Sequence, residues 1–374
     1  MMTIRCSSGA QVARDEASAS SSSLPIVVSG GTGYIGRFVV RELAARGHQV
    51  VALTRRKSGI GGAKSIGDVE HDLNKDAGDG SAKVEVRAAD VTSDSVDALA
   101  SEITASGFTP AAAVCCLASR TGGVKDSWLV DYEATKRFME ASVAAGATHF
   151  VLLSAICVQR PTLEFQRAKL RFEADLKALA EHEGSTLTYS IVRPTAFFKS
   201  LAAQVDVVKK GGPYVMFGDG ELASCKPISE ADLARFIADC VTDESYRNKV
   251  LPIGGPGKAL SAKEQGDILF RLLDKKPFYF PVPVALFDGI NGMLRAVNSI
   301  APQIIGEDVV EFGNIGKYYA VESMLVWDDE RQCYDADATP SYGTDTLEEF
   351  YRRALFEDGM VGQELGDQGG GIFN

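Results

Sequence analysis

Between Pro25 and Pro194, short apolar runs recur at intervals, and the stretches separating them carry apolar residues at three- and four-residue spacing. The runs are PIVVS, HQVVALT, VEVRAADV, AAAVCCLAS, HFVLLSAI and LTYSIVRP. Such runs are too short and too evenly apolar for amphipathic helices, so each is expected to be a strand covered on both faces. DSVDALASEITASG and WLVDYEATKRFMEASVAAG, lying between runs, have helical period. Gly47 stands where the first helix should end. Strands alternating with helices predict an α/β, doubly wound parallel sheet over residues 25–195. Residues 1–24, ending ASASSSSLP, show no apolar period and are expected to form a disordered tail or a transit-peptide remnant. Residues 60–83, rich in Gly, Asp and Lys, are expected to be a mobile excursion between the second and third strands. Beyond residue 195 the alternation loosens into a smaller mixed lobe, 196–374, expected to cover the carboxyl edge of the sheet and to return some segments to the core. Within it Leu286, Ile290, Met293, Val297 and Ile300 form a helical stripe expected to pack on that core, the alternative being a membrane-surface or ligand-facing role.

The turn GGTGYIG after the first strand supplies Gly30, Thr32, Gly33, Tyr34, Ile35 and Gly36. Small residues let backbone approach a pyrophosphate, and the following helix N-terminus offers free N–H donors, which makes the turn a candidate dinucleotide site on a Rossmann-like fold. About 20 residues on, where a carboxylate would grip a ribose, stand Arg55 and Arg56. Two guanidiniums suit the 2′-phosphate of NADPH instead. Asp90 and Val91 end the third strand and are expected to flank the adenine; Leu117, Ala118 and Ser119 end the fourth, beside the cofactor.

A formal net charge of −11 argues against a nucleic-acid partner, which needs a broad basic face. No apolar stretch approaches the ~18 residues of a membrane span. Seven cysteines without a CxxC pair, and four histidines away from ligand spacing, predict no bound metal.

The chain as a whole resembles the atypical short-chain dehydrogenases. In that family a serine ends the fifth strand, and a tyrosine and a lysine follow on the next helix. Ser154 and Lys169 match the first and last of these, but Phe165 holds the tyrosine position. YEATK, Tyr132 to Lys136, has the right spacing but precedes the fifth strand and is a decoy. Without a phenol, the site suits hydride transfer to a carbon–carbon double bond, the proton coming from water, from Lys169 or from the substrate's own conjugation. VRPTAFFKSL resembles the family's turn beneath the nicotinamide, which places Pro194 at the cofactor and Phe197 and Phe198, with Phe165, around an apolar pocket.

LASRTGGVKDSW, EFQRAKLRFEADL, KPISEADLARFIADC and IGKYYAVESMLV further resemble the plant and algal divinyl chlorophyllide a 8-vinyl-reductases. This implies an NADPH-dependent oxidoreductase acting on divinyl chlorophyllide a, a magnesium tetrapyrrole, in the chloroplast during chlorophyll biosynthesis. It is compatible with peripheral attachment to a membrane. Arg160, Lys199 and Lys226 are candidates for the pigment's propionate. The competing readings are an NADP(H)-binding redox sensor without turnover, and an isoflavone-reductase-like enzyme acting on a small phenolic.

Overall fold

The computed structural model describes residues 23–58, 63–78, 80–300 and 302–357, with side chains throughout these except at 297–300 and 302–307. Most of the Ser- and Ala-rich tail, residues 1–22, lies outside them. The first half of the chain runs β1 (Pro25–Ser29), α1 (Gly36–Ala45), β2 (Gln49–Thr54), α2 (Ile66–Asn74), β3 (Glu85–Ala88), α3 (Val96–Ile103) and β4 (Ala112–Cys115). It continues through α4 (Val124–Ser127), a π-helical turn (Trp128–Ala134), α5 (Thr135–Ala144), β5 (His149–Leu153), α6 (Glu164–Glu181) and β6 (Thr188–Pro194). Then come α7 (Val205–Lys209), β7 (Tyr214–Phe217), β8 (Ser224–Cys225), α8 (Glu230–Thr242), β9 (Lys249–Ile253), β10 (Leu260–Ser261), α9 (Ala262–Leu272) and β11 (Tyr279–Val282). α10 (Ala285–Ile300), α11 (Pro302–Val321) and α12 (Leu347–Phe356) follow.

Seven parallel strands form one sheet in the order β3-β2-β1-β4-β5-β6-β9. β4 and β5 are buried at every position, as continuous apolar runs require when helices cover both faces. One face packs Val40 and Leu43 of α1, Leu73 of α2 and Phe236 of α8; the other packs Leu99 of α3, Phe138 of α5 and Phe172 of α6. Gly47, at φ +81°, closes α1 in the left-handed region that ends helices.

Two expectations fail. The 60–83 segment, outside its undescribed residues, contains α2, opened by a reciprocal cap between Ser65 and Asp68 and held by buried Val69 and Leu73. Ile66, Val69 and Leu73 keep a helical spacing, but three apolar residues in so short a helix are hard to pick out between Gly- and Asp-rich flanks. The α10 stripe does not face the core: Leu286, Ile290 and Met293 are 54, 41 and 60% exposed. Among the described side chains of this helix the buried one is Asn291, whose Oδ1 lies where a Cβ on Gly313 of α11 would stand, so the helix pair meets on a polar and a missing side chain. Val297 and Ile300 have side chains outside the described set. Among the described residues no helix is long and apolar enough to cross a membrane.

His149 opens β5 with its ring between Thr188 Oγ1 (2.8 Å) and the Cys240 carbonyl (2.9 Å). Burial lowers this imidazole from 6.5 to about 4. Between those values the unfolded chain binds a proton that the folded chain refuses, so about 3 kcal/mol of stability present at neutral pH is lost as pH falls through the window. Urea unfolding at pH 7 and pH 5 should show a steeper loss for the parent chain than for His149→Gln.

Candidate active site

The chain leaves β1 at Gly30 with φ +78°, and a Cβ there would lie 2.6 Å from the carbonyl of Cys116 just beyond β4. Only glycine permits that approach with that dihedral. A Cβ on Gly36, the first residue of α1, would lie 2.1 Å from the Gly30 carbonyl oxygen, which also accepts from Gly33 N at 3.0 Å. The three glycines therefore fold one loop onto a helix N-terminus and keep side chains out of the hollow, a cradle that suits the pyrophosphate of a dinucleotide. Of the other turn residues, Thr32 and Gly33 form the open surface. Ile35 is buried in the core. Tyr34 donates its hydroxyl to Glu230 of α8 and lies under the Lys199 ammonium, 4.5 Å from the ring centre. Burial, then the charge of Glu230, raises its phenol far above the ordinary value. Neither Tyr34 nor Ile35 leaves much but backbone for a ligand.

Because Ser29 pairs with Leu53, the end of β2 lies beside the turn, and Arg55 and Arg56 follow it, both exposed. Asp90 accepts from Thr92 N (3.0 Å) and Thr92 Oγ1 (2.6 Å). Val91 turns its side chain into the core and its carbonyl to Arg137 (2.7 Å). Leu117, Ala118 and Ser119 emerge from the β4 end at the same sheet edge.

Lys169, on α6, is buried and forms an ion pair with Asp131 at 3.0 Å. Burial alone would lower this ammonium; the field and hydrogen bond of Asp131 outweigh it and hold Lys169 above its ordinary value. Asp131 sits in the π-helical turn and also receives Ser119 N at 3.3 Å, so one carboxylate ties the lysine to the end of β4. Nothing in the spacing of WLVDYEATK marks this residue. Ser154 donates to Glu173 Oε1 at 2.6 Å, and Glu173 in turn holds Arg193 of β6. Ser154 is thus behind the cleft wall, and Ala155 is the residue that lines it. Tyr132 and Lys136 both turn to Asp175 on the outer side of α6, consistent with YEATK being a decoy.

At the carboxyl ends of β5 and β6 lies a cleft of about 450 Å³. Its floor includes Ala155, Cys157 and Pro194 to Phe197; Val215 and Met216 of β7 and Gly316, Tyr319 and Ala320 of α11 face it. Phe165 is half-buried against the cluster that joins Ile156 and Cys157 to Ile315 and Tyr318 of α11. Phe198 departs from expectation: it is 1% exposed and packs on Phe350 at 5.4 Å in a separate core, so it walls no pocket. A Phe pair in sequence does not reveal which ring a short helical turn sends inward. The basic candidates are engaged: Arg160 with Glu322 (2.9 Å), Lys226 with the Thr339 carbonyl (2.8 Å) and Lys199 over Tyr34. The stripe from Leu286 to Ile300, which the sequence offers for the pigment cleft, contributes none of its described lining; α11 does, and it is tied down where Glu164 N donates to Glu311 at 2.7 Å and Val124 N to Asp308 at 2.8 Å.

The family model described as NAD(P)H-binding matches residues 30–244. The chain is 56% identical over 343 residues to the chloroplastic divinyl chlorophyllide a 8-vinyl-reductase of Arabidopsis thaliana, covering 92% of this chain and 79% of that one. The Zea mays protein of the same name is 56% identical, with 92% and 82% covered. In three dimensions the chain is similar to an NADPH-dependent quinone oxidoreductase of Escherichia coli solved with NADPH, at TM-score 0.57 and 18% identity, covering 88% of this chain and 99% of that one. The chain therefore carries an NAD(P)H-binding domain, matched from the glycine turn onward, and a nicotinamide dinucleotide is its cofactor class. With half of its length matched by one model and most of it by these relatives, the chain belongs to the divinyl chlorophyllide a 8-vinyl-reductases, built on the NAD(P)H-binding fold.

Proposed function

We propose that this chain reduces the 8-vinyl group of 3,8-divinyl chlorophyllide a to an ethyl group with NADPH, in the plastid. The observation that carries the reading is Phe165: the lysine of the catalytic helix is retained and held by Asp131, the phenol is gone, and an apolar cleft opens alongside. A vinyl group has no oxygen to protonate, so a ring without a hydroxyl costs this reaction nothing at that position. The bound dinucleotide would supply hydride. Lys169, fixed by Asp131, orients the nicotinamide ribose. Thr32, Gly33 and the N-terminus of α1 hold the phosphates, and Asp90, Val91 and Leu117 to Ser119 border the adenosine and ribose along the sheet edge. Pro194 and Phe197 wall the reactive end. The cleft's volume and apolar lining are those of a small-molecule site.

Purified protein mixed with NADPH and divinyl chlorophyllide should give a blue shift of the Soret band. A bound but unconsumed NADPH, with no shift, would favour the redox sensor instead. Arg55 and Arg56 select NADPH through the 2′-phosphate: Arg55→Ala should raise the Michaelis constant for NADPH by ~10-fold or more, since a charge-assisted hydrogen bond contributes about 1.5–3 kcal/mol. An unchanged preference for NADPH over NADH in that variant would remove the assignment.

A further inference from the structure

The reduction proposed above needs a proton as well as a hydride, and neither residue at the usual positions can give it readily. Phe165 has no acidic hydrogen, and Lys169 is committed to a buried carboxylate. The opposite wall of the cleft provides an alternative. α11 turns Gly316, Tyr319 and Ala320 toward the cavity, so a phenol stands between two residues with almost no side chain. The adjacent Tyr318 anchors this stretch of helix: it is 5% exposed, packs in the same cluster as Phe165, and donates its hydroxyl to the Cys157 carbonyl at 3.1 Å, in the turn that follows β5. The two tyrosine rings meet edge to face at 5.7 Å and 87°. Tyr319 is 44% exposed as a residue, yet burial, then the proximity of Cys157, raises its phenol well above the ordinary value. As a lining residue that is also 44% exposed, Tyr319 has the cleft on one side and water on another.

We propose that Tyr319 is the general acid of the vinyl reduction, delivered from α11 across the cleft in place of the phenol missing at position 165. This rests on the function proposed above. In the step, hydride from the dinucleotide bonds to one vinyl carbon and the Tyr319 phenolic proton bonds to the other. The carbon–carbon π bond is lost, the nicotinamide is oxidised, and the tyrosinate takes a proton from water through its open flank. The other acidic side chains of the cleft are less well placed. Tyr214 is 3% exposed and packed on Tyr279. Cys225 is 6% exposed, paired with Leu260 of β10, and its sulfur accepts from Gln265 Nε2 at 3.7 Å. The carboxylate of Glu322 is taken by Arg160 and Tyr334. Cys157 is the remaining competitor, a thiol that burial pushes up to about 11.

The test compares the parent chain with Tyr319→Phe, Tyr318→Phe and Cys157→Ala, reading pigment affinity from the absorbance change without cofactor, NADPH affinity from fluorescence, and single-turnover reduction in H₂O and D₂O. Tyr319→Phe should bind both ligands within ~3-fold of the parent and lose ~100-fold or more in the reduction rate, the range a general acid supplies. Cys157→Ala and Tyr318→Phe should stay within ~10-fold, and the solvent isotope effect of the parent should shrink or change in Tyr319→Phe. A Tyr319→Phe rate within threefold of the parent overturns the proposal. So does a loss explained wholly by weaker pigment binding, or a Cys157→Ala loss larger than that of Tyr319→Phe. A parent chain that binds pigment and NADPH without converting them would sink the reaction and this acid together, whereas an active parent with an equally active Tyr319→Phe sinks the acid alone.

Discussion

Lys169→Met should lose turnover by ~100-fold or more and also lose stability, and the two losses should be separable. The side chain of Asp131 is 1% exposed, and removal of the ammonium 3.0 Å away leaves a buried carboxylate without its partner. Breaking a buried pair from one side costs about 3–5 kcal/mol. Replacing both partners with apolar residues is far less costly, so Lys169→Met/Asp131→Leu should recover most of the lost unfolding free energy. It should recover none of the activity if Lys169 holds the nicotinamide ribose as proposed. Urea denaturation and steady-state kinetics on the same three proteins decide this. A double variant as active as the parent would show that Lys169 serves the fold alone.

Gly36→Ala should abolish useful NADPH binding. The added methyl would sit 2.1 Å from the Gly30 oxygen, a backbone atom that cannot swing aside as a side chain could. Overpacking of this kind costs about 3 kcal/mol at the upper end of its usual range, roughly 100-fold in affinity if spent on the cradle. Gly47→Ala supplies the contrast, since a Cβ there meets nothing within 4 Å. It should lower stability through its left-handed backbone while leaving the NADPH dissociation constant within ~2-fold. Equal NADPH affinity in Gly36→Ala and Gly47→Ala would mean that the loop does not hold the phosphates.

Much of this architecture was readable before any coordinates, for identifiable reasons. The inner strands β1, β4 and β5 are largely apolar because both faces are covered, and the glycine turn is dictated by backbone crowding that no other residue relieves. Ser154, Phe165 and Lys169 could be located because spacing along a single strand and helix survives folding. Asp131, Glu173 and the α11 wall could not, since each acts through contacts between segments distant in sequence. The α10 stripe misled because an amphipathic period reports that a helix has two unlike faces and says nothing of which one is turned inward. Phe198 misled for a related reason: adjacent rings on a turn must diverge, and only one of them reaches the cleft.

The path of the chain through the covering lobe restricts how a bulky pigment can enter. After β6 the backbone leaves the sheet, returns as α8 and β9, and leaves again; later Tyr342 N bonds to the Gly254 carbonyl (2.9 Å) and Asp345 N to Asp232 (2.9 Å). Halves stitched together at so many crossings cannot swing apart like the jaws of a clamp, which needs one or two connecting strands of backbone. On one side the cleft is walled by α11, pinned by Tyr318 on the Cys157 carbonyl and by Glu311 and Asp308 on the amides of Glu164 and Val124, so the macrocycle meets a hollow whose walls are set before it arrives.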